Sequence, residues 1–280
     1  VTDALNMKGI VKHFSTEEVA LKCVNAGVDL ILMPQGETKT INAIENAVLN
    51  GSISEDRINQ SVKKILDAKS WLKLNENKFS DPNDVSSVVN SETAKLISQK
   101  IADESVTLVK NNGDILPFKN ASEKTCLVIS LNNGNETANS NYFAEKFESN
   151  NSFKESYFYD LSGDIGNSSE ILSDAADADV IIIPIYAKVK IMTGTVGLPS
   201  SQLSLINSLA ASGKNVIVIS FGNPYLIRGF PEVSSYLCAY ADAETSINSV
   251  INTMNGIIKF KGKLPVSISS EFKLGHGITN

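Results

Sequence analysis

From Ser91 onward, short apolar runs of strand length alternate with stretches whose apolar residues recur at helical spacing. The runs fall at 106–109, 126–130, 157–159, 180–185, 216–221 and 236–240. The helical patterns cover 91–104 and lie near 137–148, 168–177, 201–212 and 244–255. Strands separated by helices pair in parallel through right-handed crossovers, and the helices then cover both faces of the sheet. The pattern predicts a three-layer α/β/α sandwich with a mainly parallel sheet over residues 91–280.

The first 75 residues carry a shorter version of the alternation. A helix is expected to start at Thr16, with Glu17 and Glu18 in its first turn and Val19, Ala20, Cys23 and Val24 as its apolar stripe. Gly27 can close it. Residues 28–33, Val-Asp-Leu-Ile-Leu-Met, read as a buried strand ended by Pro34. A second helix is expected over 38–50. A third starts at Ser54, with Ile58, Val62, Ile65, Leu66 and Leu72 on one side. Residues 76–90 are polar, contain Pro82 and have no clear period, so they read as a linker. The expected division is therefore 1–75, linker 76–90, and 91–280.

Composition removes several classes of function. Lys+Arg is 25 against 31 Asp+Glu, a net charge of −6, which argues against a nucleic-acid partner. Only Arg57 and Arg228 are arginine, few for a surface that recognises phosphate backbones. No apolar run approaches the ~18 residues of a membrane span. Cys23, Cys126 and Cys238 are too few and scattered for a disulfide framework and form no C-x-x-C, so each is expected to be a small buried apolar residue. After the run at 126–130 the chain reads Leu131-Asn-Asn-Gly134, without the glycine spacing of a dinucleotide site. Gly256 and Gly262 are spaced wrongly for a phosphate loop, and Lys263 is followed by Leu264. His13 and His276 form no H-E-x-x-H, and no metal site or cofactor is expected.

The opening Val1-Thr2-Asp3-Ala4-Leu5-Asn6-Met7 resembles the (S/T)-D-(A/D)-L-x-M stretch around the nucleophile of glycoside hydrolase family 3. The likeness continues through Ala26-Gly27-Val28-Asp29-Leu30-Ile31-Leu32-Met33-Pro34 and Ser54-Glu-Asp-Arg57-Ile58. It resumes at Ser105–Asn111, Leu116-Pro117-Phe118, Phe221-Gly222-Asn223-Pro224, Gly262-Lys-Leu264-Pro265-Val266-Ser267 and Leu274-Gly275-His276-Gly277. The branch it most resembles is the β-N-acetylglucosaminidases (β-hexosaminidases).

That resemblance implies the end of a (β/α)₈ barrel followed by the α/β sandwich. It implies Asp3 as the catalytic nucleophile, Met7 as a substrate contact, and a retaining mechanism on terminal β-linked N-acetylglucosamine in a glycan or peptidoglycan fragment. In this branch the acid/base is a His in a K-H-F-P-G type motif upstream of the nucleophile. Lys12-His13-Phe14 has its first three letters, but Ser15-Thr16 follows, downstream of Asp3. The chain has no initiator methionine and reads as the carboxy-terminal part of a longer polypeptide, with the rest of the barrel as its expected partner. Related forms act outside the cytoplasm, which favours an extracytoplasmic setting.

Two other functions remain open in the sequence. A β-glucosidase or β-xylosidase of the same family can take its acid/base from a Glu of the second domain, for which Glu232, Glu244 and Glu271 are the candidates. A non-catalytic carbohydrate-binding or scaffold module is the other. The loop 188–199, with Gly194 and Gly197, is expected near a strand end and is a candidate substrate contact.

Overall fold

A computed structural model describes residues 1–134, 138–166, 168–187 and 197–279. The chain divides into two compact units, Val1–Ser86 and Ser87–Asn280.

The first unit is built of helices. After the short α1 (Lys8–Val11) come α2 (Thr16–Asn25), α3 (Glu37–Leu49) and α4 (Glu55–Trp71). Ser15 starts α2 through a full capping box. Its hydroxyl accepts from the Glu18 amide at 3.2 Å, and its own amide donates to the Glu18 carboxylate at 2.8 Å. Gly27, at φ +87°, takes the left-handed turn that ends α2. Val24, Ala47 and Ile53 form a small core with Leu21, Ile44, Val48 and Ile58 packed around it. Much of the remaining apolar surface faces outward: Leu49, Leu66 and Trp71 are exposed, the last to 81%.

The expected strand at 28–33 is a correction. Those residues form no strand: Asp29 and Met33 lie in bends, Met33 at φ +48°, and among the described residues this unit contains no strand. Leu30, Leu32 and Met33 are 47%, 45% and 55% exposed. A strand exists only where a neighbour takes its backbone hydrogen bonds, and here residues 2–5 take two, from Thr2 N to the Leu30 carbonyl and from Leu5 N to the Leu32 carbonyl. Residues 76–90 are also more ordered than a featureless linker. Asp81 caps a 3₁₀ turn at Pro82–Asp84, which leads into the one-turn α5 (Val85–Val88).

The second unit is the α/β sandwich. Helix α6 (Glu92–Ser105) precedes β1 (Thr107–Asn111), followed by β2 (Thr125–Asn132), α7 (Ala138–Asn150), β3 (Glu155–Ser162), α8 (Ser169–Asp177) and β4 (Val180–Tyr186). Then come α9 (Ser200–Ala211), β5 (Asn215–Ser220), β6 (Ser235–Cys238) and α10 (Glu244–Met254). The six strands lie in the order β1-β6-β5-β4-β2-β3, parallel except for β1, which runs antiparallel to β6 at the edge. Phe143 and Phe147 of α7 with Ile247, Val250, Ile251 and Met254 of α10 cover one face. Ile171 and Ala175 of α8 with Leu205, Ile206 and Leu209 of α9 cover the other.

All seven residues of β4 are buried, as a strand enclosed by partners and helices requires. Its Pro184 has no N–H to donate. The β2–β4 pairing runs through Cys126–Val128 with Val180–Ile182 and resumes at Leu131 with Ile185, leaving a gap at the proline. Cys126 and Cys238 are buried in the sheet, whereas Cys23 is half-buried. Burial pushes the Cys238 thiol up to about 12. No described helix is long and apolar enough to cross a membrane.

The tail threads back under the sheet. Phe260 enters one core; Leu264, Ile268 and Phe272 enter the other; and Ile278 bridges Leu108. Gly262 is where the tail crosses closest, its amide donating to the Val106 carbonyl. A Cβ there would sit 2.2 Å from the Ser105 carbonyl and 2.6 Å from that of Val106. Gly262→Ala is therefore expected to destabilise this unit by about 3 kcal/mol, measured by urea unfolding. Tyr186 has a buried hydroxyl with no hydrogen-bond partner among the described residues, while its ring stacks on Phe221 at 5.0 Å. Tyr186→Phe keeps the ring and removes the orphaned group. It is expected to leave stability unchanged or raise it by about 1 kcal/mol, and a clear loss in the same unfolding measurement would contradict this.

Candidate active site

Asp3 stands on a short turn that is spliced to the segment at 28–33. Thr2 N donates to the Leu30 carbonyl at 3.0 Å, and Leu5 N donates to the Leu32 carbonyl at 3.0 Å. Between them, Leu32 N donates to the Thr2 hydroxyl at 2.9 Å. Leu5 is buried in an apolar hollow with Phe14, Val19 and Ile31, which anchors the turn from its other side. Asp3 is exposed, and its carboxylate accepts from the Ala4 amide at 2.7 Å. Thr2 and Leu5 are thus fixed on either side of the Asp3-Ala4 turn, while the Asp3 side chain is exposed. Met7 caps α1 and is 53% exposed.

The far end of this segment is held by Arg57, a role that spacing alone does not reveal. From α4 its Nε donates to the Val24 carbonyl at 3.1 Å and Nη2 to the Val28 carbonyl at 2.9 Å. Its Nη1 donates to Ser61 Oγ at 2.5 Å, and Ser61 donates to Asp29 Oδ1 at 2.6 Å. Lys64 reaches the same carboxylate at 3.0 Å. The Ser61 hydroxyl, then Lys64 and Arg57, hold the Asp29 carboxyl below its usual range. One signal for this arrangement was present: an arginine on an amphipathic helix, in a chain with only one other.

The remaining sequence candidates fall elsewhere. His13 is exposed in the turn after α1. His276 is structural: its Nε2 lies 2.7 Å from the Val109 carbonyl, and its own carbonyl accepts from Leu264 N. Glu232 precedes β6, at the amino end of the parallel strands. Glu244 opens α10, and Glu271 is exposed in the tail. Residues 188–196 of the candidate loop lie outside the described residues, and 197–199 lead into α9.

The carboxyl ends of β2 and β4 form the point where the sheet order reverses, the usual crevice position in open α/β sheets. Asn132 and Ser140 donate to Asp160 there, and Asn139 donates to Asp242. Burial, with Asp160 and Asp242 facing it, raises the Tyr186 hydroxyl pKa. Among the described residues no group of three His, Cys, Asp or Glu is placed to hold a metal ion.

Arg57→Gln removes the charged fork from two backbone carbonyls. It is expected to destabilise the first unit by about 2 kcal/mol and to speed amide hydrogen exchange at Thr2 and Leu32. Because the Asp29 carboxyl is lowered on folding, its ionised form contributes stability above about pH 4. That contribution is lost as pH falls through the lowered value, and Asp29→Asn is expected to flatten this acid limb.

Comparison with known proteins identifies the family of the chain. The Glycosyl hydrolase family 3 C-terminal domain matches residues 106–275, and the Glycosyl hydrolase family 3 N terminal domain matches residues 1–68. Among curated relatives, a probable beta-glucosidase C of Aspergillus flavus is 23% identical over 96% of this chain and 42% of its own length. A beta-N-acetylglucosaminidase/beta-glucosidase of Cellulomonas fimi is 20% identical over 95% of this chain and 48% of its own. The chain thus spans about half the length of these relatives. Among solved structures, beta-glucoside phosphorylase BglX bound to 2FGlc superimposes with a TM-score of 0.78 at 25% identity, over 95% of this chain and 48% of that one. A family 3 beta-N-acetylglucosaminidase from Paenibacillus gives 0.75 at 22%, over 96% of this chain and 51% of that one. With more than half of its residues matched by one domain of the family, the chain belongs to glycosyl hydrolase family 3.

Proposed function

We propose that this chain carries the nucleophile of a retaining exo-glycosidase that releases terminal β-linked N-acetylglucosamine. The observation that carries the reading is the exposed Asp3 carboxylate, held on a turn whose flanking residues are hydrogen-bonded to the segment at 28–33. In the proposed reaction an Asp3 oxygen attacks the anomeric carbon as the bond to the leaving oxygen breaks. A general acid supplies the proton to that oxygen. The same group then takes a proton from water, the water oxygen displaces the carboxylate, and Asp3 is regenerated. Met7, exposed four residues on, is the proposed substrate contact.

The acid/base and most of the pocket are proposed to come from further barrel strands, in the same polypeptide or a second chain. The exposed Leu30, Leu32 and Met33, and the twofold greater length of the relatives, support this. The N-acetylglucosaminide specificity is proposed on the resemblance of the nucleophile segment to that branch. Of the acids a β-glucosidase could use instead, Glu232 lies at the amino ends of the strands and the loop 188–199 contains neither Asp nor Glu, while Glu244 opens α10 beyond the carboxyl end of β6.

With a fluorinated, slow-turnover N-acetylglucosamine analogue, mass spectrometry of the barrel-complete protein is expected to find the sugar on Asp3. Asp3→Asn is expected to lower turnover roughly 10⁴- to 10⁶-fold, the range seen when a hydrolase loses its covalent nucleophile. An adduct on another carboxylate would refute the assignment. Faster turnover of an aryl glucoside than of the aryl N-acetylglucosaminide would move the specificity to the β-glucosidases. The 280-residue chain alone is expected to turn over neither.

A further inference from the structure

The hydrogen bond from Leu32 to the Thr2 side chain is out of place for a sheet. In a parallel pair, Thr2 N donating to the Leu30 carbonyl is followed by Leu32 N donating to the Thr2 carbonyl, at even spacing. Here the first bond is present at 3.0 Å, but Leu32 N donates at 2.9 Å to the Thr2 hydroxyl. The next contact, Leu5 N to the Leu32 carbonyl at 3.0 Å, skips two residues on the nucleophile side and none on the other. Side-chain hydroxyls compete in this way with backbone acceptors where a chain leaves regular structure. By taking the Leu32 amide, the hydroxyl satisfies the ladder while the backbone after Thr2 turns away from it. Asp3 and Ala4 fill the resulting excursion, and the Asp3 carboxylate closes on the Ala4 amide at 2.7 Å.

We infer that Thr2 is a positioning residue for Asp3: its hydroxyl replaces its own carbonyl as acceptor of the Leu32 amide, interrupts the backbone pairing one residue before the nucleophile, and fixes the direction in which that carboxylate leaves the backbone. This rests on the reading of Asp3 as nucleophile. It accounts for a hydroxyl at this position without any contact between Thr2 and substrate. Valine has nearly the same shape as threonine but cannot accept the bond, and serine can accept it without the methyl group. The pair therefore separates the hydrogen bond from the packing.

The test is the rate of the glycosylation step in the barrel-complete protein, followed before the steady state for Thr2→Val, Thr2→Ser and Thr2→Ala. Misplacement of a reacting group by about 1 Å costs on the order of 10²-fold. Thr2→Val and Thr2→Ala are expected to slow glycosylation 10- to 100-fold with KM changed less than threefold, and Thr2→Ser to stay within threefold of the parent. In the 280-residue chain, amide exchange at Leu32 is expected to speed up in the valine and alanine variants alone. An unchanged glycosylation rate in Thr2→Val, or an equal loss in Thr2→Ser and Thr2→Ala, would overturn the inference. Should the valine variant fail to fold, the comparison of serine with alanine decides in the same way. The adduct stays on Asp3 in every variant if the nucleophile reading holds. An adduct elsewhere refutes that reading and not the strand-ending role, which the exchange rates report separately.

Discussion

An extended backbone must find acceptors and donors on both of its edges, and that requirement organises both units of this chain in opposite ways. In the sandwich it is met internally. Strands β2, β4, β5 and β6 each have a partner on either side, and the helices seal the faces, so a continuous apolar run such as β4 can be wholly buried. In the first unit, among the described residues, the segment at 28–33 is joined to the turn at residues 2–5 by three hydrogen bonds. Those bonds, the Leu5 anchor and the Arg57 fork at the other end hold the segment in place without making it a strand.

The same contrast explains what the sequence disclosed. The sandwich was legible because its strands are buried on both faces and its helices on one, so periodicity maps directly onto layers. Edge strand β3 was underestimated at 157–159, because it alternates between half-buried and exposed residues and extends through Glu155–Ser162. The apolar segment at 28–33 was read as a buried strand because apolar residues record a demand for burial, not the presence of the surfaces that meet it. Pro184 is carried inside the central strand β4 by a local gap in pairing with β2 alone.

The candidate site was legible only in part. Asp3 and Met7 were picked out by resemblance, since an isolated Asp before a turn has no periodic signature. The roles of Thr2 and Arg57 could not be read from spacing, because their partners lie about thirty residues away along the chain. Leu32 lies 30 residues from Thr2, and Val24 and Val28 lie 33 and 29 residues from Arg57. Gly262, by contrast, was part of a recognisable motif, and the carbonyls of Ser105 and Val106 above it supply the physical reason for a residue without a side chain.

The Asp3 carboxylate either attacks the anomeric carbon itself or only helps water to do so. Proton NMR of the sugar released by the barrel-complete protein, recorded before mutarotation, distinguishes the two. Attack by Asp3 followed by water gives two inversions, so the β-anomer is predicted to appear first from a β-linked substrate. Initial release of the α-anomer would mean a single displacement by water and would contradict the nucleophilic role of Asp3.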